Sequence, residues 1–379
     1  MIYLDNSATT KPYTEVLTSF EQVSQKFYGN PSSIHDLGIE AEKLFLKARK
    51  QAAQLLGITS NEIVFNSGGT EGNNTAIKGI ALAHQNRGNH IITSQIEHPS
   101  VLEACRSLES LGFDITYLPV NKNGVVSVSD VEKAITDKTI LLSIMHVNNE
   151  LGTIQPIEEI GKVAKRYPKL FFHVDHVQGF GKVDLQLKDS GIDLCTISGH
   201  KIHGLKGTGL LYIKRGTKIF PLLHGGDQEM GYRSGTENLA GVVSLVKALR
   251  LTIERQQADL KRLEVRMEKL RQQLTTIDGV VINTPPQHAP HILNISVPGF
   301  KPEVIIHALG EKNIFISTKS ACSSKTPDES AVLNACAIKP ELSKSALRIS
   351  LSYDTTEHDI AVFCQALKEV KDQLSKVMG

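Results

Sequence analysis

Short apolar runs alternate with helical patterns through the middle of the chain. Glu62-Ile63-Val64-Phe65 reads as a strand, and Asn73 to Gln85 follows with helical periodicity. His90-Ile91-Ile92-Thr93 is a second strand. The helix after it begins near Pro99, where proline is tolerated because a first-turn N–H has no helical partner. Ile140 to Val147 and Leu170 to Val177 predict two further strands around a helix from Glu158 to Arg166, and Asp193 to Ser198 and Gly209 to Ile213 complete the series. Strands nearly continuous in apolar residues and separated by helices indicate an α/β fold with a mostly parallel central sheet covered on both faces. In such a sheet the ligand site forms beyond the carboxyl ends of the strands.

A long amphipathic helix follows. Ile253, Leu260, Met267 and Leu274 recur with Leu263 and Leu270 between them, and the stripe ends at Asp278-Gly279. It leads out of a large domain into a smaller one. There Ile292 to Val297 and Leu347 to Leu351 read as strands, with a polar loop from Ser317 to Ser330 between them. The length of 379 residues fits two or three domains at a prior of ~150 residues each.

Composition narrows the classes of function. Hydrophobic residues make up 40% and charged residues 22%, enough apolar material for a sizeable core. Lys plus Arg number 42 against 40 Asp plus Glu, a formal charge of +2 that points to neither nucleic acid nor a membrane surface as partner. The first residues show no basic leader or apolar h-region, and no apolar run reaches the ~18 residues of a membrane helix. Five scattered cysteines lack metal-type spacing, which fits reduced thiols in the cytoplasm.

Several polar clusters sit where chemistry is expected. Ser67-Gly68-Gly69-Thr70-Glu71-Gly72-Asn73-Asn74 lies between a strand and a helix, so it is either a phosphate cradle or a well-capped turn. Asp175 ends an apolar strand, where a carboxylate needs a positive partner or a turn to cap. Lys201, in Ser198-Gly199-His200-Lys201, either snorkels to solvent or forms a Schiff base. Together these pieces meet the needs of pyridoxal phosphate. Gly69, Thr70, Ser198 and His200 suit the phosphate, Asp175 the ring nitrogen, Lys201 the aldehyde, Gln178 the ring oxygen, and His98 the ring face. A lone histidine is otherwise a structural residue. Cys322 lies in a polar segment flanked by lysines, which favours an acidic thiol over an inert one. Arg348, on an apolar strand, needs either an internal carboxylate or that of a substrate.

Ten segments, in order over essentially the whole chain, resemble the cysteine desulfurases of the NifS/IscS type, which are class V aminotransferase-like enzymes of pyridoxal-phosphate fold-type I. They are Tyr3 to Thr10, Gly29 to His35, Ser67 to Asn74, Glu97-His98-Pro99, Asn148 to Gly152, His173 to Gln178, Ser198 to Gly204, Arg233 to Asn238, Ser320-Ala321-Cys322 and Arg348-Ile349-Ser350. The resemblance implies a fold-type I transferase, with segment 1–12 packing on the small domain, a large cofactor domain at 13–255 and a small α+β domain at 256–379 that carries the cysteine loop. Lys201 would hold the cofactor and later shuttle protons, and His98 would stack on the ring and assist. Asn149 would lie near the ring oxygen and the substrate carboxylate, which Arg348 would bind. Thr236 would reach the phosphate of the other subunit of a homodimer. Cys322 would take the sulfur of L-cysteine as a persulfide, releasing alanine. The acceptor would be a protein of iron–sulfur cluster assembly or tRNA thiolation, and the setting of Cys322 resembles the IscS-like branch. A selenocysteine lyase or another β-eliminating enzyme of the same cofactor is the alternative. Lys319, His176, Leu205 and Ser352-Tyr353 depart from the family's usual residues.

Overall fold

The computed structural model describes residues 1–318 and 330–378. Its strands are β1 (Ile2–Tyr3), β2 (Ile63–Asn66), β3 (His90–Ser94), β4 (Asp114–Leu118), β5 (Thr139–Met145), β6 (Phe171–Asp175), β7 (Leu194–Ser198), β8 (Gly209–Ile213), β9 (Val281–Ile282), β10 (Ile292–Ser296), β11 (Ile314–Phe315) and β12 (Ala346–Ser350). Seven of them form one sheet in the order β2-β8-β7-β6-β5-β3-β4. All its pairings are parallel except those of β8, which runs against both neighbours. Only ten residues separate β7 from β8, too few for the crossover that parallel pairing requires.

Alternate residues of each strand feed opposite layers. Ile91, Leu141, Leu194 and Leu211 pack with Ile77, Ile80, Val101 and Leu108 of the helices Gly69–His84 and Pro99–Glu109. Their neighbours Ile92, Leu142 and Cys195 pack with Val131, Ile157 and Ile160 of Val128–Ala134 and Ile157–Ala164. Toward the β2 end, Phe65, Ile197 and Leu210 meet Val16, Phe45 and Leu245 of three further helices. Period-2 burial on both faces is why these strands read as continuous apolar runs.

The helix Leu239–Thr275 is longer than its stripe suggested. Its first half, to Thr252, is buried with the sheet. Its second half places Leu263, Met267, Leu270 and Leu274 in another core with β10, β12 and the helix Glu357–Met378. Leu4 belongs to that second core, and β1 pairs in parallel with β11. The helices Thr14–Lys26 and Asp36–Leu56, and strand β4, were not legible in the apolar pattern. β4 has a half-exposed alternation, Asp114-Ile115-Thr116-Tyr117-Leu118, that lacks a continuous run.

Buried histidines line the interior of the large sheet. His173 Nδ1 and Nε2 lie 2.8 Å from Ser143 Oγ and 3.0 Å from Thr196 Oγ1, and burial holds the imidazole down at about 3. His176, a departure from the family pattern, shares a 2.8 Å Nδ1–Nδ1 hydrogen bond with His146. Burial lowers His146 to about 4 and takes His176 well below its ordinary value. An unfolded histidine titrates near ~6.5, so in acid the unfolded chain takes up these protons first. The histidine contribution to stability is complete above about pH 6.5 and falls below it by up to about 1.4 kcal/mol per pH unit for each such histidine. Glu97, pushed up to about 8 by burial, has the opposite sign but is one group against three. With Glu97 offsetting nearly two of the three histidines, unfolding free energy from urea titrations should drop by about 1.5 kcal/mol between pH 7.5 and 5.5. An unchanged value would show that these imidazoles are charged in the folded state.

Candidate active site

The carboxyl ends of β2, β5, β6 and β7 lie along one edge of the sheet, with Met145 opposite Asp175, Asp175 opposite Thr196, and Ser198 opposite Gly209, itself opposite Asn66. A cavity opens there. It is lined by Gly69, Thr70, His98, Asn149, Asp175, Gln178, Ser198, His200, Lys201 and Arg348, ten of the twelve residues singled out from sequence. Thr236 is exposed and stands outside it, on the segment whose neighbours Gly235 and Glu237 border a separate hollow of about 500 Å³. Cys322 and Lys319 lie outside the described residues.

Asp175 ends β6 as a buried carboxylate with two donors. Val177 N donates to Oδ1 at 3.0 Å and Asn73 Nδ2 to Oδ2 at 2.7 Å. Both are neutral, so the carboxylate keeps its charge free for a cationic partner in the cavity. Above it, the helix Gly69–His84 aims its first turn at the same space, where N–H groups lack intrahelical acceptors. Gly68 takes φ +140°, which only glycine adopts readily, and a Cβ on Gly69 would stand 3.0 Å from Val177 Cγ2. Backbone and strand edge therefore meet closely. Ser198 Oγ, buried beside these glycines, has no hydrogen-bond partner among the described residues.

Lys201 follows Ser198 on a single 3-10 turn, Gly199–Lys201. Its ammonium donates to the carbonyls of Ser7 and, at 3.0 Å, Ala8. Gln178 Nε2 donates to the same Ser7 carbonyl at 3.0 Å. His200 Nδ1 lies 3.2 Å from Thr9 Oγ1, and burial lowers its imidazole to about 4, with Lys201, Lys206 and His98 adding to the effect. His98 caps the helix Pro99–Glu109 by accepting from Ser100 N at 3.1 Å.

Arg348, on β12, is 1% exposed in its side chain and forms a 2.9 Å ion pair with Asp5. Its Nη1 donates to the Asn149 carbonyl at 3.0 Å, and its Nε has no hydrogen-bond partner among the described residues. An internal carboxylate partner is thus present, yet buried donor capacity remains at the cavity wall. Burial raises the Asp5 carboxyl while Arg348 works against that.

The cavity also contains residues given no role from sequence: Ser7, Ala8, Asn73 and Ser100 among them. Asn73 had a legible signal. It shares a helix face with Ala76, Ile77 and Ile80, and a polar residue on a core stripe needs a polar partner. Ser7 and Ala8 act through backbone carbonyls, which side-chain patterns do not reveal.

Sheet edge, buried carboxylate, amine and anion cradle together define a small-molecule site of an α/β enzyme. The family model described as aminotransferase class-V matches residues 2–363. The chain belongs to the aminotransferase class-V family. It is 45% identical to a NifS/IcsS protein homolog of Lactobacillus delbrueckii subsp. bulgaricus, covering 100% of this chain and 99% of that one. It is 43% identical to a protein named cysteine desulfurase IscS from Dictyoglomus turgidum, over 99% of this chain and 96% of the relative. Among solved structures, a NifS-like protein superposes with a TM-score of 0.92 at 37% identity, covering 99% of both chains. A structure described as SspA in complex with cysteine superposes with a TM-score of 0.81 at 35% identity, over 93% of this chain and 99% of the other.

The Arg348–Asp5 pair provides a direct test of how the N-terminal segment is held. Removing one partner of a buried pair leaves an uncompensated charge, at a cost of about 3 kcal/mol. Asp5→Ala should lower the unfolding free energy by about that amount in urea titrations, and a loss under about 0.5 kcal/mol would mean that Arg348 is satisfied without Asp5.

Proposed function

We propose that this chain is a pyridoxal-phosphate-dependent cysteine desulfurase that moves sulfur from L-cysteine onto Cys322. The observation that carries the reading is the convergence of Lys201, Asp175 and the Gly69 helix end on one cavity at the sheet edge. The full-length similarity to proteins named cysteine desulfurase supports it.

The residues present fit the cofactor. Ser198 Oγ is a buried hydroxyl with no partner among the described residues, beside first-turn N–H groups and His200, and an anion with several acceptor oxygens is what such a cradle accommodates. Thr70 adds a hydroxyl. Asp175 faces the cavity as an anion suited to a protonated ring nitrogen, and Lys201 would hold the aldehyde carbon. Gln178 and Asn149 border the place of the ring oxygen, and His98 that of the ring face. When bound, pyridoxal phosphate supplies an electron sink for bonds broken at the substrate's carbons.

The chain's own groups do the rest. Arg348, whose Nε has no partner among the described residues, would bind the substrate carboxylate, and Asn149 would orient it. Lys201 would move protons at the substrate carbon. Cys105, Cys195, Cys336 and Cys364 are buried, and burial raises every one of their thiols, to about 12, well above the ordinary value, about 11 and about 12 respectively. A thiol so raised is a poor nucleophile, which leaves Cys322 as the candidate. Its thiolate would attack the sulfur of bound cysteine; the S–S bond forms as the Cβ–S bond breaks, and alanine leaves once that carbon regains a proton.

A homodimer, with Thr236 reaching the partner's phosphate cradle, is part of this reading, as is the division into 1–12, 13–255 and 256–379. So is a protein acceptor for the persulfide, in iron–sulfur cluster assembly or tRNA thiolation. Among the described residues no helix is long and apolar enough to cross a membrane, and cytoplasmic residence belongs to the proposal.

Purified protein loaded with pyridoxal phosphate should be yellow. Borohydride reduction and peptide mapping should find the cofactor on Lys201. Cys322→Ser should keep the colour and lose at least about a hundredfold in alanine formation from cysteine. A cofactor attached elsewhere, undiminished turnover in the variant, or a rate on selenocysteine that leaves cysteine as a trace substrate would each overturn this reading.

A further inference from the structure

Ser100 makes two contacts to one ring nitrogen of His98. Ser100 N donates to Nδ1 at 3.1 Å, and Ser100 Oγ lies 2.8 Å from Nδ1. A backbone N–H can only donate, so Nδ1 must accept and carries no hydrogen. That in turn makes the Ser100 hydroxyl a donor to the ring. The same hydroxyl oxygen accepts from Asn73 Nδ2 at 2.9 Å, and this amide nitrogen also donates to Asp175 Oδ2 at 2.7 Å. The amide cannot be turned over without setting Asn73 Oδ1 against the carboxylate. Asn73 and Ser100 are buried, so water does not compete for these bonds. One unbroken chain of donors therefore joins Asp175 to His98 through residues 73 and 100, from two different helices.

We propose that Asn73 and Ser100 are positioning residues that couple Asp175 to His98 and hold the imidazole neutral with its hydrogen on Nε2. The proposal rests on the desulfurase reading and deepens it. It fixes the form in which His98 meets the bound molecules, as an Nε2–H donor rather than a base. A second hydrogen on Nδ1 would face two existing donors, so protonation requires the relay to break. The charged and titratable groups around the ring act in both directions, and burial is the largest influence. Burial lowers its pKa, Asp175 at the end of β6 raises it, and Lys201 lowers it again, with His200 on the same turn and buried Glu97 as the chain neighbour.

The test reads His98 directly by NMR of cofactor-free protein labelled with ¹⁵N-histidine, assigned by His98→Gln. In the parent protein Nδ1 should show the shift of an unprotonated, accepting nitrogen between about pH 6 and 8. Ser100→Ala removes one donor to Nδ1, so His98 should protonate at higher pH. Asn73→Ala should move the same midpoint in the same direction although residue 73 does not touch the ring. In the loaded enzyme each variant should lower kcat about tenfold, the worth of one buried hydrogen bond, with KM for cysteine little changed. Ser100→Thr, which keeps the hydroxyl, should restore both readouts, and melting curves identify any variant that fails to fold. A hydrogen on Nδ1 in the parent protein, or an unmoved His98 midpoint in folded Asn73→Ala, would overturn the relay. If the NMR behaves as stated while the parent enzyme makes no alanine from cysteine, the desulfurase reading fails and the relay stands.

Discussion

A carboxylate buried at the end of a central strand can remain charged only if donors are brought to it, and at Asp175 this requirement organises much of the surrounding structure. One donor is local, the Val177 N–H two residues on. The other is the Asn73 amide, 102 residues away in sequence. To deliver it, the helix Gly69–His84 must lie very close to the sheet, and a Cβ on Gly72 would come within 2.6 Å of Thr196 Cγ2 on β7. The same docking brings the helix's first turn against Ser198, so the proposed anion cradle and the proposed ring-nitrogen partner would be set by a single packing decision. Lys201 follows on the next turn of chain. The proposed relay to His98 extends the constraint one step further, into the helix Pro99–Glu109.

The first ten residues join the two cores across the cavity. Leu4 is buried with Leu263, Leu293 and Leu347, while the Ser7 and Ala8 carbonyls receive Lys201 and Gln178 from the large sheet's edge. Ser7 N and Asn6 Nδ2 both donate to Ser350 on β12, and Thr10 bonds the His200 carbonyl. Between these lies the Asp5–Arg348 pair. Arg348 consequently reaches the cavity wall from the second core, carried by a strand otherwise buried in apolar surroundings. A substrate carboxylate bound there would be held by one core and the amine acting on it by the other.

How much of this was legible depends on whether a signal was local. The parallel strands were readable because both faces are apolar, and β4 was missed because its edge position leaves only Leu118 of its five residues buried. Single boundaries shifted where capping decided them. The helix read from Asn73 starts at Gly69, since first-turn residues face solvent and the cavity and contribute no apolar repeat. The long helix begins at Leu239, not near Ile253; its first half is mostly buried with the sheet, and only a narrow half-buried side through Ala240, Val243, Lys247 and Arg250 interrupts its apolar surface. Asp175, Lys201 and Arg348 stood out as charges on or beside apolar strands. His176 stood out only as a departure from a family pattern, and its pairing with His146 comes from parallel strand packing.

The sequence by itself determined the α/β alternation, the edge of the sheet that carries chemistry, and the side chains placed there, since strand periodicity and unpaired charges are written in neighbouring residues. Only the tertiary structure decided which donors Asp175 receives, that Arg348 shares itself between Asp5 and the cavity, and that backbone carbonyls of residues 7 and 8 hold Lys201. These contacts join residues far apart in the chain, and their geometry exists only after helices and sheet have packed.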